Sequence, residues 1–165
     1  MELSPIYLVL VSGLAATLVM TMVMYLYASL SRKNTKVVHI LGSMLTGFRM
    51  FTLNSKTKVL ITGAIAHVFI GQLFSFIYFI MWSCGLFDIT LCNSLIIGAV
   101  SGIVAIFFWK AYFMVYQNPI QVPLLHYFIA LFISHIVFGI IAIYMFSSIT
   151  ISTANVSPAF FDTAL

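Results

Sequence analysis

Charged side chains are scarce in this sequence. They make up 6% of its 165 residues, whereas hydrophobic residues make up 63%. A soluble domain carries about 25% charged residues, so this chain has too few of them to cover a surface that faces water. The mean hydropathy of +1.18 is likewise that of a chain rich in apolar residues. The composition therefore predicts one integral membrane domain over 1–149, followed by a short polar extracytoplasmic tail over 150–165.

Acidic residues are fewer still, because the chain contains only Glu2, Asp88 and Asp162. None of them falls within a long apolar run. Proton- or sodium-coupled transport generally relies on a carboxylate buried in the membrane, and a catalytic base needs a further group to orient it. The sequence also has no Gly-rich phosphate loop and no His-Glu-x-x-His motif. These absences disfavour coupled transport and catalysis, and no residue is predicted to be catalytic.

Cysteine is limited to Cys84 and Cys92, which excludes a disulfide framework and a Cys-rich metal module. The two residues lie at facing ends of neighbouring apolar runs, with a short connection between them. The outer side of the membrane, where both residues are predicted to lie, is oxidising, so a disulfide could join the two helices. Two buried free thiols are the alternative.

Long apolar runs, by contrast, are abundant. A helix needs about 20 apolar residues to cross the hydrocarbon core of a bilayer, and four segments satisfy this at 5–30, 58–82, 91–116 and 122–146. The runs are too long and too continuous for membrane strands. They predict an all-α integral membrane four-helix bundle. Because the connections at 84–88 and 117–121 are short, the second and third spans, and the third and fourth, are predicted to be antiparallel neighbours.

Basic residues cluster in and beside the first connection, at 31–57. Six of the seven lie there: Arg32, Lys33, Lys36, Arg49, Lys56 and Lys58. The positive-inside rule then predicts that this connection is cytoplasmic and that both termini lie outside a bacterial inner membrane. This topological role of the basic residues argues against a nucleic-acid partner.

Residues 37–51 of that connection predict an amphipathic helix on the cytoplasmic face. Val37, Leu41 and Met44 lie on its apolar side, and His39 lies on its polar side. Basic residues flank it at both ends, as anionic lipid favours. It is either a strut on the lipid surface or a gate or docking surface for a partner.

Small residues recur at i, i+4 spacing in every predicted span. In lipid such residues let helix backbones approach closely, and Gly98 and Gly102 form a Gly-x-x-x-Gly pair. We expect the following positions to pack the bundle or to line a cavity within it: Gly13, Thr17, Thr21, Gly63, Gly71, Ser75, Tyr78, Gly98, Gly102, Gly139 and Tyr144.

Two histidines lie near the middle of predicted spans, His67 in the second and His135 in the fourth. An ionisable residue at that depth marks a functional hypothesis. Three interpretations stay open. The neutral rings join helices by hydrogen bonds, or they hold a haem or a metal, or they line a cavity for a quinone, a lipid or another apolar molecule. His126 and His39 are predicted to lie at the membrane interface.

Short motifs carry a family resemblance over most of the chain up to about Phe146. They are Gly13-Leu14-Ala15-Ala16-Thr17 with Met20-Thr21, Leu41-Gly42-Ser43-Met44, His67-x-x-x-Gly71 and His135-x-x-x-Gly139. With these motifs the chain resembles a group of small four-helix bacterial inner-membrane proteins that carry no assigned activity. The resemblance implies the four-span topology and draws attention to the two histidines, but it implies no function.

The sequence thus predicts a non-catalytic membrane protein. It is either a subunit of a membrane complex or a module that binds an apolar ligand around His67 and His135. The alternatives are a small transporter or pore formed by self-association, and a bis-His haem protein in electron transfer. The expected partners are the lipid bilayer and either other membrane proteins or further copies of the chain, and the candidate cofactors are haem and quinone.

Overall fold

The predicted spans are long apolar helices in the computed structural model, which describes residues 5–47, 53–115 and 122–156. Helix α1 is Pro5–Ser31, α2 is Val37–Thr46, α3 is Leu53–Ser83, α4 is Leu91–Val115 and α5 is Leu124–Val156. Helices α1, α3, α4 and α5 each contain a segment long and apolar enough to cross a membrane. The prediction of an all-α bundle is confirmed, and the chain is a multi-pass membrane protein.

Two helices end at different places from those that the sequence predicts. Helix α5 continues to Val156, so residues 150–156 of the predicted tail are helical, and residues 157–165 lie outside the described part. Helix α2 ends at Thr46 because Gly47 adopts the left-handed conformation (φ 65°), which terminates helices. The end of the predicted helix at 48–51 also lies outside the described residues.

The helices pack in the order α3, α1, α5, α4, with α2 packed against α3 and also in contact with α1. Helix α1 lies between α3 and α5 because one side of it carries small residues, of which Ser12 and Ala16 are fully buried. The opposite side of α1 carries exposed apolar residues that suit lipid: Leu10, Leu14, Leu18, Met22 and Leu26. Helix α5 packs against α4 as well as α1, so α4 and α5 are close neighbours as predicted.

Helices α3 and α4 do not pack closely through their backbones. They are nevertheless in contact through side chains, because the hydroxyl groups of Tyr78 and Ser101 lie 2.6 Å apart. The short connection does reverse the chain, since Gly85 ends α3 in the left-handed conformation (φ 68°). The aromatic side chains of Phe74 and Tyr78 extend from α3 to the ring of Phe138 on α5.

Helix α2 is a packed part of the bundle. Its residues Val37, Ile40 and Met44 belong to the common apolar core, so the interpretation of α2 as a strut with its apolar side on lipid is wrong. The backbones of α2 and α3 touch, because a Cβ atom built on Gly63 would meet the Val38 carbonyl oxygen. Small residues at this crossing therefore permit a helix-to-helix contact.

His39 lies on the less buried side of α2. Its ring centroid is 6.1 Å from that of Tyr25 on α1, and the Lys36 ammonium group lies 5.8 Å from the same tyrosine ring. Burial, and then the positive charge of Lys36, lower the pKa of His39 below its ordinary value. His39 is therefore neutral at neutral pH, which suits a residue at the end of the bundle where the basic residues gather.

Candidate functional site

Helices α1 and α3 meet along a seam of small and hydroxyl-bearing residues. Gly71 leaves room for the Thr17 hydroxyl, since a Cβ atom at Gly71 would collide with it. The seam has three layers: Ser12 with Ser75, Thr17 with Gly71, and Thr21 with His67. The structure thus brings together most of the small and polar positions that the sequence singles out in these two helices.

His67 takes part in this seam through one ring nitrogen. Its side chain is 6% exposed, and its Nε2 atom lies 3.1 Å from the Thr21 hydroxyl oxygen. That hydroxyl donates its only proton to the Thr17 carbonyl, at 2.7 Å, so the His67 Nε2–H must be the donor to Thr21. In the neutral ring Nδ1 then carries a lone pair, and no partner for Nδ1 lies among the described residues.

His135 is fixed in the opposite tautomer. Its side chain is 4% exposed, and its Nδ1 atom lies 2.8 Å from the Leu131 carbonyl oxygen. A carbonyl oxygen only accepts, so Nδ1–H is the donor and Nε2 carries the lone pair. Within the described part of the chain Nε2 has no hydrogen-bond partner. The Phe74 ring stands nearly perpendicular to the imidazole, with ring centroids 5.6 Å apart.

The two histidines lie at similar depth in the bundle. The bond between Thr21 and His67 sets the register of α1 against α3, and the 3.0 Å contact between Tyr27 and His126 sets that of α1 against α5. With a rise of 1.5 Å per residue, His135 lies roughly one helical turn, or about 5 Å, from the level of His67. Both side chains are also buried in the bundle, and we call the two residues the histidine pair.

Three glycines position the His135 backbone. A Cβ atom on Gly98 would lie 2.8 Å from the His135 carbonyl oxygen, and one on Gly102 would lie 3.3 Å from the His135 Cβ atom. A Cβ atom on Gly139 would lie 2.6 Å from the Ser94 carbonyl oxygen of α4. The Gly-x-x-x-Gly of α4 thus brings α4 directly against the turn of α5 that carries the histidine.

The remaining predicted residues divide between the core and the surface. Tyr78 is buried near the histidine pair, whereas Tyr144 is 64% exposed on the outside of α5, so the prediction that it lines the interior is wrong. It follows His135 by nine positions, which corresponds to half a turn around the helix. Gly13 packs against the side chains of Gln72 and Ser75, and Gly63 packs against α2.

Cys84 and Cys92 are free and exposed. They flank the connection between α3 and α4 at the end of the bundle where Asp88 lies. The structure therefore has neither the disulfide nor the buried thiols that the sequence left open. Two exposed thiols at one end of the bundle offer a chemical label for that end.

The geometry does not fit a bis-His haem. A porphyrin needs two facing imidazoles with an open slot between them, yet the Phe74 ring stands against His135 and glycine contacts draw the helices together on either side. A metal site with several protein ligands is not assembled either, because the described residues contain no group of three or more His, Cys, Asp or Glu side chains that could hold an ion.

Two polar groups escaped prediction. The Tyr127 hydroxyl and the Gln72 Oε1 atom are buried and have no hydrogen-bond partner among the described residues. Gln72 could have been noticed, because an amide side chain in the middle of an apolar span is unusual. Tyr127 gave no signal, since a tyrosine near the end of a span is ordinarily an interfacial anchor.

No family model, curated protein or solved structure matches this chain. The functional argument therefore depends on the geometry of the histidine pair and its surroundings.

Proposed function

We propose that this chain is a non-catalytic membrane protein that binds a small apolar ligand at His67 and His135. One observation supports the proposal above all: two buried imidazoles, about one helical turn apart in depth, each make one hydrogen bond to the described part of the chain through a single ring nitrogen. Hydrogen bonding within the bundle accounts for that nitrogen, and the other nitrogen of each ring is available to a ligand.

The proposed location is a bacterial inner membrane, with the basic end of the bundle in the cytoplasm and both termini outside. The positions of the charges support this orientation. Lys36 and Lys58 border α2 and α3 at one end, whereas Asp88 lies in the connection at the other end. The proposed relationship to small four-helix bacterial inner-membrane proteins agrees with it, since they share the four-span topology.

The two exposed cysteines test this orientation. We expect a membrane-impermeant maleimide to label Cys84 and Cys92 in intact spheroplasts, because the proposal puts their end of the bundle outside. The double variant Cys84→Ser with Cys92→Ser is the matched control and takes up no label. Labelling that requires permeabilised membranes contradicts the orientation but leaves the ligand site untouched.

Native mass spectrometry of protein gently extracted from its own membrane tests ligand binding. We expect the wild-type chain to retain a small apolar molecule, and His135→Gln to lose it. His126→Gln is the control, since His126 is on the same helix but pairs with Tyr27 near the basic end. Retention that is equal in all three proteins, or wild-type protein that carries no such molecule, contradicts the proposal.

A subunit of a membrane complex is the second candidate. It is favoured by the exposed apolar surface of α3 and α4, where side chains such as Phe69 and Phe107 are 71% and 67% exposed. The same mass spectra distinguish the candidates, because a subunit carries the mass of another polypeptide. A self-associating pore has less support, since Ser12, Ser75 and Thr21 are hydrogen-bonded within the seam.

A further inference from the structure

We infer that the junction of α1 and α2 binds one anionic phospholipid, with the lipid phosphate at Lys36 and an acyl chain along α1 beside Leu18 and Met22. This lipid site is separate from the histidine pair and holds whether or not that pair binds a ligand.

Helix α2 begins well inside the basic end of the bundle rather than at its tip. Arg32 ends α1 in the left-handed conformation (φ 55°), and the Thr35 hydroxyl donates to the Met24 carbonyl at 3.2 Å. The chain therefore turns back along the last two turns of α1. Met24 is six residues beyond Leu18, the midpoint of α1. With a rise of 1.5 Å per residue, the start of α2 lies about 9 Å from the middle of the membrane.

The contact between α2 and α3 gives the same depth. Val38 near the start of α2 lies against Gly63, whereas Gly42 lies against Val59, so α2 runs antiparallel to α3. Gly63 is six to seven residues from the middle of the apolar segment Lys56–Ser83, which corresponds to about 10 Å. The hydrocarbon core extends about 15 Å on each side of the midplane. The start of α2 therefore lies inside the core.

Lys36 is an exposed cation at this depth. Its ammonium nitrogen lies 5.8 Å from the centroid of the Tyr25 ring. Among the described residues the only acidic side chain is Asp88, in the connection at the other end of the bundle. A charged side chain within the hydrocarbon core is costly unless it is paired, and the anions that a bilayer supplies are lipid phosphates. The Lys36 ammonium group therefore fits a phospholipid headgroup.

The neighbouring polar groups select an anionic headgroup. Arg32 and Lys33 are exposed in the same turn, so the choline of a zwitterionic lipid would meet further positive charge, whereas a net negative lipid is attracted. The His39 ring lies 6.1 Å from the Tyr25 ring. The Tyr25 hydroxyl and the His39 imidazole are groups that can hydrogen-bond phosphate or glycerol oxygens.

Exposed apolar residues continue from Tyr25 toward the middle of the membrane. Leu14, Leu18 and Met22 are 45%, 51% and 67% exposed. Their spacing of three or four residues places them on the same face of α1 as Tyr25. A lipid with its phosphate at Lys36 can thus lay an acyl chain along this face.

Native mass spectrometry of the full-length protein, released from detergent micelles, measures the binding of the first lipid. Dioleoyl phosphatidylglycerol and dioleoyl phosphatidylcholine share their acyl chains and phosphate and differ in net charge. We expect the wild-type chain to bind phosphatidylglycerol about tenfold more tightly, the value of one charge-assisted hydrogen bond. Lys36→Gln should lose this preference and Lys36→Arg should keep it. Lys110→Gln is the matched control and should also keep it, since Lys110 is exposed at the same end of the bundle but on α4.

A photoreactive lipid gives a second measurement on the wild-type protein, which decides the matter even where Lys36→Gln fails to fold. Phosphatidylglycerol with a diazirine in its acyl chain should label Leu18 and Met22 several-fold more than phosphatidylcholine with the same group. Val104 on α4 is similarly exposed, at 54%, and should be labelled equally by both lipids. Mass spectrometry of peptides locates the label.

Four results would overturn the lipid site. Equal binding of the two lipids by the wild-type chain excludes selection of an anionic headgroup, and equal labelling of Leu18 and Met22 excludes the position of the acyl chain. A preference that Lys110→Gln reduces as much as Lys36→Gln shows general attraction to the basic end. Displacement of phosphatidylglycerol by inorganic phosphate shows a site for free phosphate instead of lipid.

Discussion

Gly98→Leu is expected to destabilise the bundle by about 3 kcal/mol or more, the upper range for an overpacked core position. A Cβ atom at Gly98 would lie 2.8 Å from the His135 carbonyl oxygen and also 2.8 Å from the Ile136 Cα atom. Both are backbone atoms of α5, so no side chain can rotate out of the way and the helices must separate. Unfolding in mixed micelles with increasing SDS, followed by circular dichroism, measures the loss.

Val100→Leu is the matched control for this prediction. Val100 is on the same helix and 54% exposed toward lipid, so its replacement should change stability by less than about 0.5 kcal/mol. Gly139→Leu should resemble Gly98→Leu, because Gly139 packs against Gly98 itself, with its would-be Cβ 2.9 Å from the Gly98 Cα atom. The double variant Gly98→Leu with Gly139→Leu should lose less free energy of unfolding than the sum of the two single variants, since both substitutions disrupt the same helix crossing. A Gly98→Leu protein as stable as Val100→Leu would show that α4 and α5 do not cross here.

Gly63→Leu is expected to detach α2 from α3 while the four spans stay assembled. A Cβ atom at Gly63 would meet the Val38 carbonyl oxygen and would lie 2.9 Å from the Gly42 amide nitrogen. Overpacking of this kind costs about 1–3 kcal/mol, so amide hydrogen exchange in α2 should become about tenfold faster or more. Exchange in α1 and α3 should change little, because the seam between them lies further along α3. Mass spectrometry of the protein in nanodiscs measures the exchange of each segment.

Ile61→Leu is the control for α2, since Ile61 is close to Gly63 on the same helix and 55% exposed. Gly42→Leu should reproduce the effect of Gly63→Leu from the other side of the contact, because its Cβ atom would meet the Val59 carbonyl oxygen. Protection of α2 that survives both glycine substitutions is the result that would disprove the packed position of this helix.

The candidate site could be predicted in part. His67 and His135 could be identified because an ionisable residue in an apolar run of membrane length is unusual and must face the bundle interior. The tautomer of each ring could not be predicted. It depends on Thr21 having given its proton to Thr17, and on the Leu131 carbonyl lying within 2.8 Å of Nδ1. Both are distances between particular atoms, which residue spacing does not contain.

Tyr144 shows a different limit of sequence reasoning. Tyr144, late in the fourth span, was expected to pack the bundle or line a cavity, yet it is exposed on the far side of α5. The nine positions between His135 and Tyr144 already imply opposite faces of the helix, so the sequence did contain this information. For Tyr78, sequence spacing predicts the position but not the bond. Its buried position follows from its spacing along α3, whereas its hydrogen bond to Ser101 depends on how α3 and α4 approach each other.

The sequence by itself determined the four spans and the helical class. In lipid every backbone N–H and C=O must be bonded within the segment, so an apolar run of about 20 residues has little choice but to be a helix. Only the tertiary structure decided which helices pair closely, that α2 is buried against α3, and that α3 and α4 meet through side chains. Helices that are apolar on all sides have no hydrophobic stripe to indicate the inner face. Their partners are chosen by the close fit of small residues such as Gly63 and Gly98, and that fit exists only once two helices are side by side.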